Sequence, residues 1–97
     1  MFILHEKPTS KVGGSSFSGL IIDEDVDAIL DKLGKPTEIN KDKTQLEWQF
    51  SDGEKIITIY DYKENKPIYQ IHTWHIGSKN VSNDEIKEFF HKNASIL

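Results

Sequence analysis

The chain has 97 residues, no cysteine and a formal net charge of −4. That length suits one domain, 1–97, with a modest core of its own. It leaves no disulfide framework and no thiolate metal site, and the charge argues against non-specific binding to a nucleic-acid backbone, which needs a basic field. The acids gather at 23–31 (DEDVDAILD) and the lysines are scattered. A DNA mimic would be more uniformly acidic, so this run reads as the solvated face of a helix. No run approaches the roughly 20 apolar residues of a membrane span. Met1 is followed by FILHEKP, too short and too polar for a signal peptide. The expectation is a cytoplasmic protein without membrane contact.

Residues 2–4 (FIL) suit a short strand or a loosely held end, and 9–19 (TSKVGGSSFSG) a Gly/Ser loop, so that 1–22 is an N-terminal strand and loop. Leu20, Ile21 and Ile22 form a short apolar run, a short strand or a lead-in to the first helix. That helix is predicted over 23–33, because Val26, Ile29, Leu30 and Leu33 recur at i, i+3, i+4 and i+7. Asp23 is the expected N-cap. Gly34 and Pro36 stop the helix. A polar connection, 37–44, leads into a β-meander over 45–77.

The meander reads as QLEWQF, KIITIYDY and IYQIHTWHIG. Asp52-Gly53 is a type I′ hairpin signal, and KENKP a second turn. These turns place Trp48 opposite Ile57, Leu46 opposite Ile59, Ile59 opposite Ile71 and Ile57 opposite Thr73. One face is then apolar: Leu46, Trp48, Phe50, Ile57, Ile59 and Ile71. Residues Glu47, Gln49, Thr58, Tyr60, Tyr62, Gln70, His72 and Trp74 share the other. The second helix is predicted over 82–94. Ser82 and Glu85 form a capping box, Val81 and Ile86 a hydrophobic staple, and Ile86, Phe89, Phe90 and Ala94 face the core. The expected fold class is α+β: a three- to four-stranded antiparallel meander with both helices packed on one face, in the order (β)-α-β-β-β-α.

The second sheet face is too aromatic for an idle solvent face and too polar for a core. Its Tyr60, Tyr62, Gln70, His72 and Trp74 are the candidate ligand or partner residues. Three readings stay open for them: stacking with nucleobases, a self-association or partner interface, or a second small core under the N-terminal segment. The loop 11–19 (KVGGSSFSG) holds the materials of a phosphate cradle, with Lys11, Ser15 and Ser16 as possible contacts. It lacks the G-x-x-x-x-G-K-[ST] spacing, so a plain surface loop is the alternative. His72 and His75 are three apart on a strand and point to opposite faces, so they do not share one ion. Asp61 and His75 fall at opposite ends of the predicted meander, and no nucleophile motif stands beside them. No catalytic residue, metal or cofactor is assigned.

The helix ending Leu33-Gly34-Lys35-Pro36, followed by a short loop, a strand with Trp48 and a meander, resembles the SmpA/BamE-like small α+β domains. That likeness implies architecture. A closer resemblance is to a set of short phage-encoded proteins. The residues that carry it are Thr9-Ser10, Gly19, Leu33-Gly34-Lys35-Pro36, Glu47-Trp48, Asp52-Gly53, Thr58-Ile59-Tyr60-Asp61-Tyr62-Lys63 and Trp74-His75-Ile76-Gly77. The Gly/Ser stretch before Gly19 is longer here than in that pattern. The resemblance implies a viral accessory protein that antagonises host immunity, by binding a defence protein or by sequestering a cyclic or other nucleotide messenger. The alternative is a homo-oligomeric structural or regulatory domain without a ligand. An enzyme acting on a phosphorylated small molecule is the third reading.

Overall fold

The computed structural model describes residues 1–41, 44–62 and 65–93. Within them lie six strands and two helices: β1 (Ile3–Leu4), β2 (Ser16–Asp23), α1 (Val26–Leu33), β3 (Glu38–Lys41), β4 (Thr44–Asp52), β5 (Lys55–Tyr60), β6 (Thr73–Lys79) and α2 (Asn83–Asn93). Short 3-10 turns occur at Ser10–Val12 and Ile68–Gln70. All strand pairs are antiparallel. The sheet runs β1-β4-β5-β6-β2, and β3 pairs with β4 as well. Strands β1 and β3 share one edge of β4: β1 takes Phe50 and Ser51, and β3 takes the stretch from Thr44 to Glu47.

The α+β class and the antiparallel sheet agree with the sequence, but the sheet is wider than expected. Residues 16–19, the end of the run read as a Gly/Ser loop, join 20–22, read as a short strand or a lead-in to the helix, in the long edge strand β2, and the polar connection contributes β3. Both carry weak strand signals, and among the described residues each pairs with only one neighbouring strand. In β2 the pairing shifts register between Phe17 and Leu20, and Gly19 there has φ 92°. This bulge breaks the alternation that a sequence reading relies on.

The register of the meander is corrected in two places. At the first hairpin Asp52 pairs with Lys55, so Gly53 and Glu54 are the loop. Gly53 has φ 60° and Glu54 is not left-handed, the pattern of a type II′ turn rather than type I′. Trp48 therefore faces Ile59, and Phe50 faces Ile57. The shift is two residues, so every side chain keeps its expected face. At the second connection the shift is odd. Ile59 pairs with Ile76, and Tyr60 pairs with His75. The chain makes a 3-10 turn at Ile68–Gln70 before β6 begins at Thr73, in place of a tight KENKP turn. An odd shift exchanges the two faces of β6. Trp74 and Ile76 thus point to the helices, and His75 and Gly77 to the other side.

The core lies between the sheet and both helices. It joins Ile22, Val26, Ile29, Trp48, Phe50, Ile57, Ile59, Ile71, Trp74, Ile76, Ile86 and Phe90. The two indoles meet edge to face at 5.5 Å. Trp48 donates its ring N–H to the Gly34 carbonyl at 2.9 Å, and Trp74 donates to the Glu24 carbonyl at 2.8 Å. They hold the two ends of α1. That helix starts later than predicted, because Asp25 rather than Asp23 is its N-cap, accepting from the Ala28 N–H at 2.8 Å. Gly34 ends it with φ 83°. The start of α2 is as expected: the Glu85 N–H donates to Ser82 Oγ at 3.2 Å, and the Ser82 N–H to Glu85 Oε1 at 3.4 Å. Residues 42–43 of the predicted connection, 63–64 of the predicted turn, and Ala94 lie outside the described residues. Among the described residues, no helix is long and apolar enough to cross a membrane.

Candidate functional site

The face of the sheet away from the helices carries Glu47, Gln49 and Ser51 from β4, Ile56, Thr58 and Tyr60 from β5, and His75, Gly77 and Lys79 from β6. Strand β2 adds Phe17 and Ile21, opposite Gly77 and His75. A strap made of residues 5–15 crosses part of this face. The His5 N–H donates to the Gln49 carbonyl at 2.9 Å, and the His5 ring is bonded through Nε2 to Ser51 Oγ at 2.6 Å. The Thr9 N–H donates to Gln49 Oε1 at 3.0 Å. Lys79 donates its ammonium to the carbonyls of Gly13 at 3.0 Å and Lys11 at 3.3 Å. Buried polar side chains therefore sit on this face with partners supplied by the strap, as burial demands.

Where the strap ends, a cleft of about 490 Å³ opens over the sheet. Glu47, Thr58 and Gly77 belong to its floor, Ser15, Ser16 and Phe17 to one wall, and Thr44, Tyr60 and Tyr62 to the other. Gly77 has a steric role here. A Cβ at that position would lie 2.5 Å from Thr58 Oγ1 and 3.3 Å from Tyr60 Cε1. Only a glycine lets those two side chains close over the strand. A smaller hollow of about 440 Å³, lined by Phe17, Tyr60, Tyr62 and His75, adjoins the cleft through the first three of these residues.

The rings around this hollow form one cluster. Tyr60 stacks on His75 at 5.8 Å with planes 20° apart. Phe17 meets His75 at 5.1 Å and Tyr62 meets it at 5.9 Å. Phe17 is 50 % exposed and Tyr62 42 %, so both present ring surface at the cleft mouth. His75 Nδ1 is buried and has no hydrogen-bond partner. Burial, then the charge of Glu47 and the neighbouring Tyr62, push the Tyr60 phenol above its ordinary value. At neutral pH that phenol is a proton donor.

The residues expected to share one surface are dispersed. Tyr60, Tyr62, Ser15 and Ser16 line the cleft. Trp74 does not: it is fully buried against Trp48 in the core. His72 precedes β6, is exposed, and lies 3.5 Å from Asp23. Gln70 is exposed on the 3-10 turn. Lys11 contributes its backbone carbonyl to the strap and does not line the cleft. Asp61 is buried, and its Oδ1 accepts from the backbone N–H groups of Gln45 and Leu46 at 2.8 and 2.9 Å, so it closes the start of β4. The sequence reading missed Phe17, Glu47 and Gly77 as cleft residues and His75 as part of the adjoining hollow. The signal was present in the run Trp74-His75-Ile76-Gly77, whose alternation puts Trp and Ile on the core face and leaves His and Gly for the other.

Among the described residues, no three His, Asp or Glu side chains converge in a metal-binding group. No known protein family, no curated protein and no solved structure matches the chain.

Proposed function

We propose that this chain is a small non-catalytic binding protein of the phage accessory type, which antagonises host immunity by capturing a nucleotide messenger in the cleft under the Gly/Ser wall. The observation that carries this reading is the composition of the cleft. Aromatic rings at its mouth offer stacking surface, and a hydroxyl-bearing wall and a buried carboxylate offer polar contacts on either side. A cavity of this size and mixed lining suits a nucleotide-sized ligand. The viral assignment rests on the resemblance carried by residues such as Trp74-His75-Ile76-Gly77, and the cleft gives that resemblance a mode of action.

The test is native mass spectrometry of the chain purified from cells in which a nucleotide-signalling defence is active. A co-purifying mass of a nucleotide is expected. Bare chain from cells whose messenger level is untouched by its presence overturns the reading. A second reading, association with a defence protein or with another copy, is favoured by one feature. Edge strand β2 presents Phe17 at 50 % and Ile21 at 49 % exposure, and among the described residues its outer edge pairs with no strand. The same spectra report it, as a complex mass in place of a nucleotide.

A further inference from the structure

Strand β2 ends the sheet on one side, and the hydrogen bonds beside it show which of its backbone groups point away. The Glu24 N–H donates to the His72 carbonyl at 3.0 Å, one step beyond the pair Asp23–Thr73. Antiparallel pairs alternate between bonded and non-bonded, so Ile22 turns its N–H and C=O to β6, while Ile21 and Asp23 turn theirs outward. Among the described residues, no strand takes those outward groups. Residues 20–23 (LIID) also lack the lysine, proline or bulge that blunts an exposed edge. The irregular part lies before them, where Ser18 Oγ donates to the Ile76 carbonyl and the Asn83 amide donates to the Ser18 carbonyl.

The side chains along this edge change character within two residues. Phe17 is opposite Gly77 and Ile21 is opposite His75, so the irregular stretch makes Phe17 and Ile21 next neighbours on the open face, both half exposed. Phe17 is also a wall of the hollow that Tyr60, Tyr62 and His75 complete. A large apolar side chain opposite Ile21 on an added strand covers Ile21 and reaches diagonally to Phe17. Beyond Ile21 the edge turns acidic. The Asp23 side chain is 88 % exposed, and the exposed Asp25 and Asp27 follow where β2 runs into α1. Outward backbone gives a strand affinity, and the apolar and acidic positions beside it give selectivity.

We propose that β2 is a docking edge for an extended segment of a partner protein, which adds a strand along residues 20–23 and carries a large apolar side chain opposite Ile21 and a lysine or arginine opposite Asp23. Charge complementarity selects this occupant over a second copy. Residues 20–23 paired with themselves about Ile22 set Asp23 opposite Ile21 of the other copy, which brings the two Asp23 carboxylates to diagonal positions. Two chains of net charge −4 also repel as they approach. A basic segment meets neither penalty. The proposal rests on the reading that the chain associates with a protein, and is independent of what the cleft holds.

The experiment is an NMR titration of the intact, isotope-labelled chain with the end-blocked peptide Thr-Lys-Thr-Phe-Thr-Lys-Thr, whose pattern is the same in both strand directions. Binding is expected, with amide exchange at Ile21 and Asp23 slowed about tenfold at saturation. Three altered peptides should each bind about tenfold more weakly: glutamates for both lysines, alanine for the phenylalanine, and a methyl on the phenylalanine backbone nitrogen. In Asp23→Lys the preference between the lysine and glutamate peptides should reverse. The four peptides on the parent chain decide the matter even where that substitution disturbs the fold. Equal affinity of any altered peptide and the first overturns the proposal. So does exchange at Ile21 and Asp23 that slows in the chain alone as its concentration rises, which assigns the edge to a second copy. Binding of none of the peptides overturns the docking edge. A protein complex in the native mass spectra then leaves the partner reading standing, and its absence there overturns both.

Discussion

Trp74 and Ile71 are three residues apart and both are fully buried. In a continuous strand such a pair would face opposite ways. Here the 3-10 turn at Ile68–Gln70 delivers Ile71 into the core from outside the sheet, and β6 begins only at Thr73. Trp74 consequently belongs to the folding of this domain. Trp74→Ala is expected to cost about 3–5 kcal/mol, the range for a large core aromatic, because it removes the edge-to-face contact with Trp48 and orphans the Glu24 carbonyl. Urea denaturation followed by circular dichroism measures this. A folded variant with an unchanged midpoint would contradict the packing. At Gly77 the expected effect has a different origin. Gly77→Ala drives a methyl into Thr58 Oγ1 and the Tyr60 ring. It should destabilise by about 1–3 kcal/mol, as overpacking does, and reshape the cleft floor. In Gly77→Ala/Thr58→Ala the first obstacle is gone, and a substantial part of the lost stability should return in the same denaturation assay.

Helix α2 owes its start to local chemistry and its position to the sheet. Ser82→Ala removes the acceptor for the Glu85 N–H and should cost about 0.5–2 kcal/mol, read as a fall in the denaturation midpoint. Glu85 also reaches Lys55 across the gap to β5, at 2.7 Å. The hydrogen bond from Lys55, and then those from Ser82, lower the Glu85 carboxyl below its ordinary 4.5. Lys55 is raised above 10.5, first by its hydrogen bond to Glu85 and then by the charge of Glu85. A lowered carboxyl stabilises the fold above its unfolded value and loses that contribution as pH falls through the folded value. A raised ammonium stabilises below its unfolded value and loses the contribution as pH rises through the folded one. The pair is therefore intact between those limits and weakens below pH 4.5. Glu85→Gln keeps an acceptor for the capping box and removes the charge. Its thermal midpoint is expected to lie slightly below that of the parent at pH 7 and to converge with it as pH falls from 4.5 through the lowered Glu85 value. Both groups are exposed and screened by salt, so the difference should shrink in 1 M NaCl.

For the molecule as a whole, the strap is the element that turns a bare sheet face into a cleft. Its bonds come from three separate strands: Gln49 and Ser51 on β4, the packing of Ser10–Val12 on β5, and Lys79 on β6. Lys79→Met keeps the aliphatic stem over Gly14 and removes the ammonium that holds the Gly13 and Lys11 carbonyls. Amide hydrogen exchange is expected to speed up at residues 11–15 while the core strands retain their protection. Unchanged exchange in the strap would show that Lys79 does not restrain it.

Much of this architecture is legible from 97 letters. The stripe of Val26, Ile29 and Leu33, the Gly34 stop, the Ser82–Glu85 box and the alternation in β4 and β5 are local patterns, and each depends on neighbours within a few residues. They determine where the helices and central strands form and which side of β4 and β5 is apolar. The tertiary structure decided what depends on distant pairing. Strands β2 and β3 carry little pattern, and among the described residues each is paired along one side only. The face of β6 depends on the number of residues absorbed by the connection before it, and that number is set by how the 3-10 turn packs beside α1. An odd register shift moves Trp74 from the open face to the core and brings Gly77 to the cleft and His75 to the adjoining hollow. Glu47 was legible as a polar residue on the open face. Only the tertiary structure, which sets Gln49 on it and the cleft walls around it, makes it a buried carboxylate at the floor of a cleft.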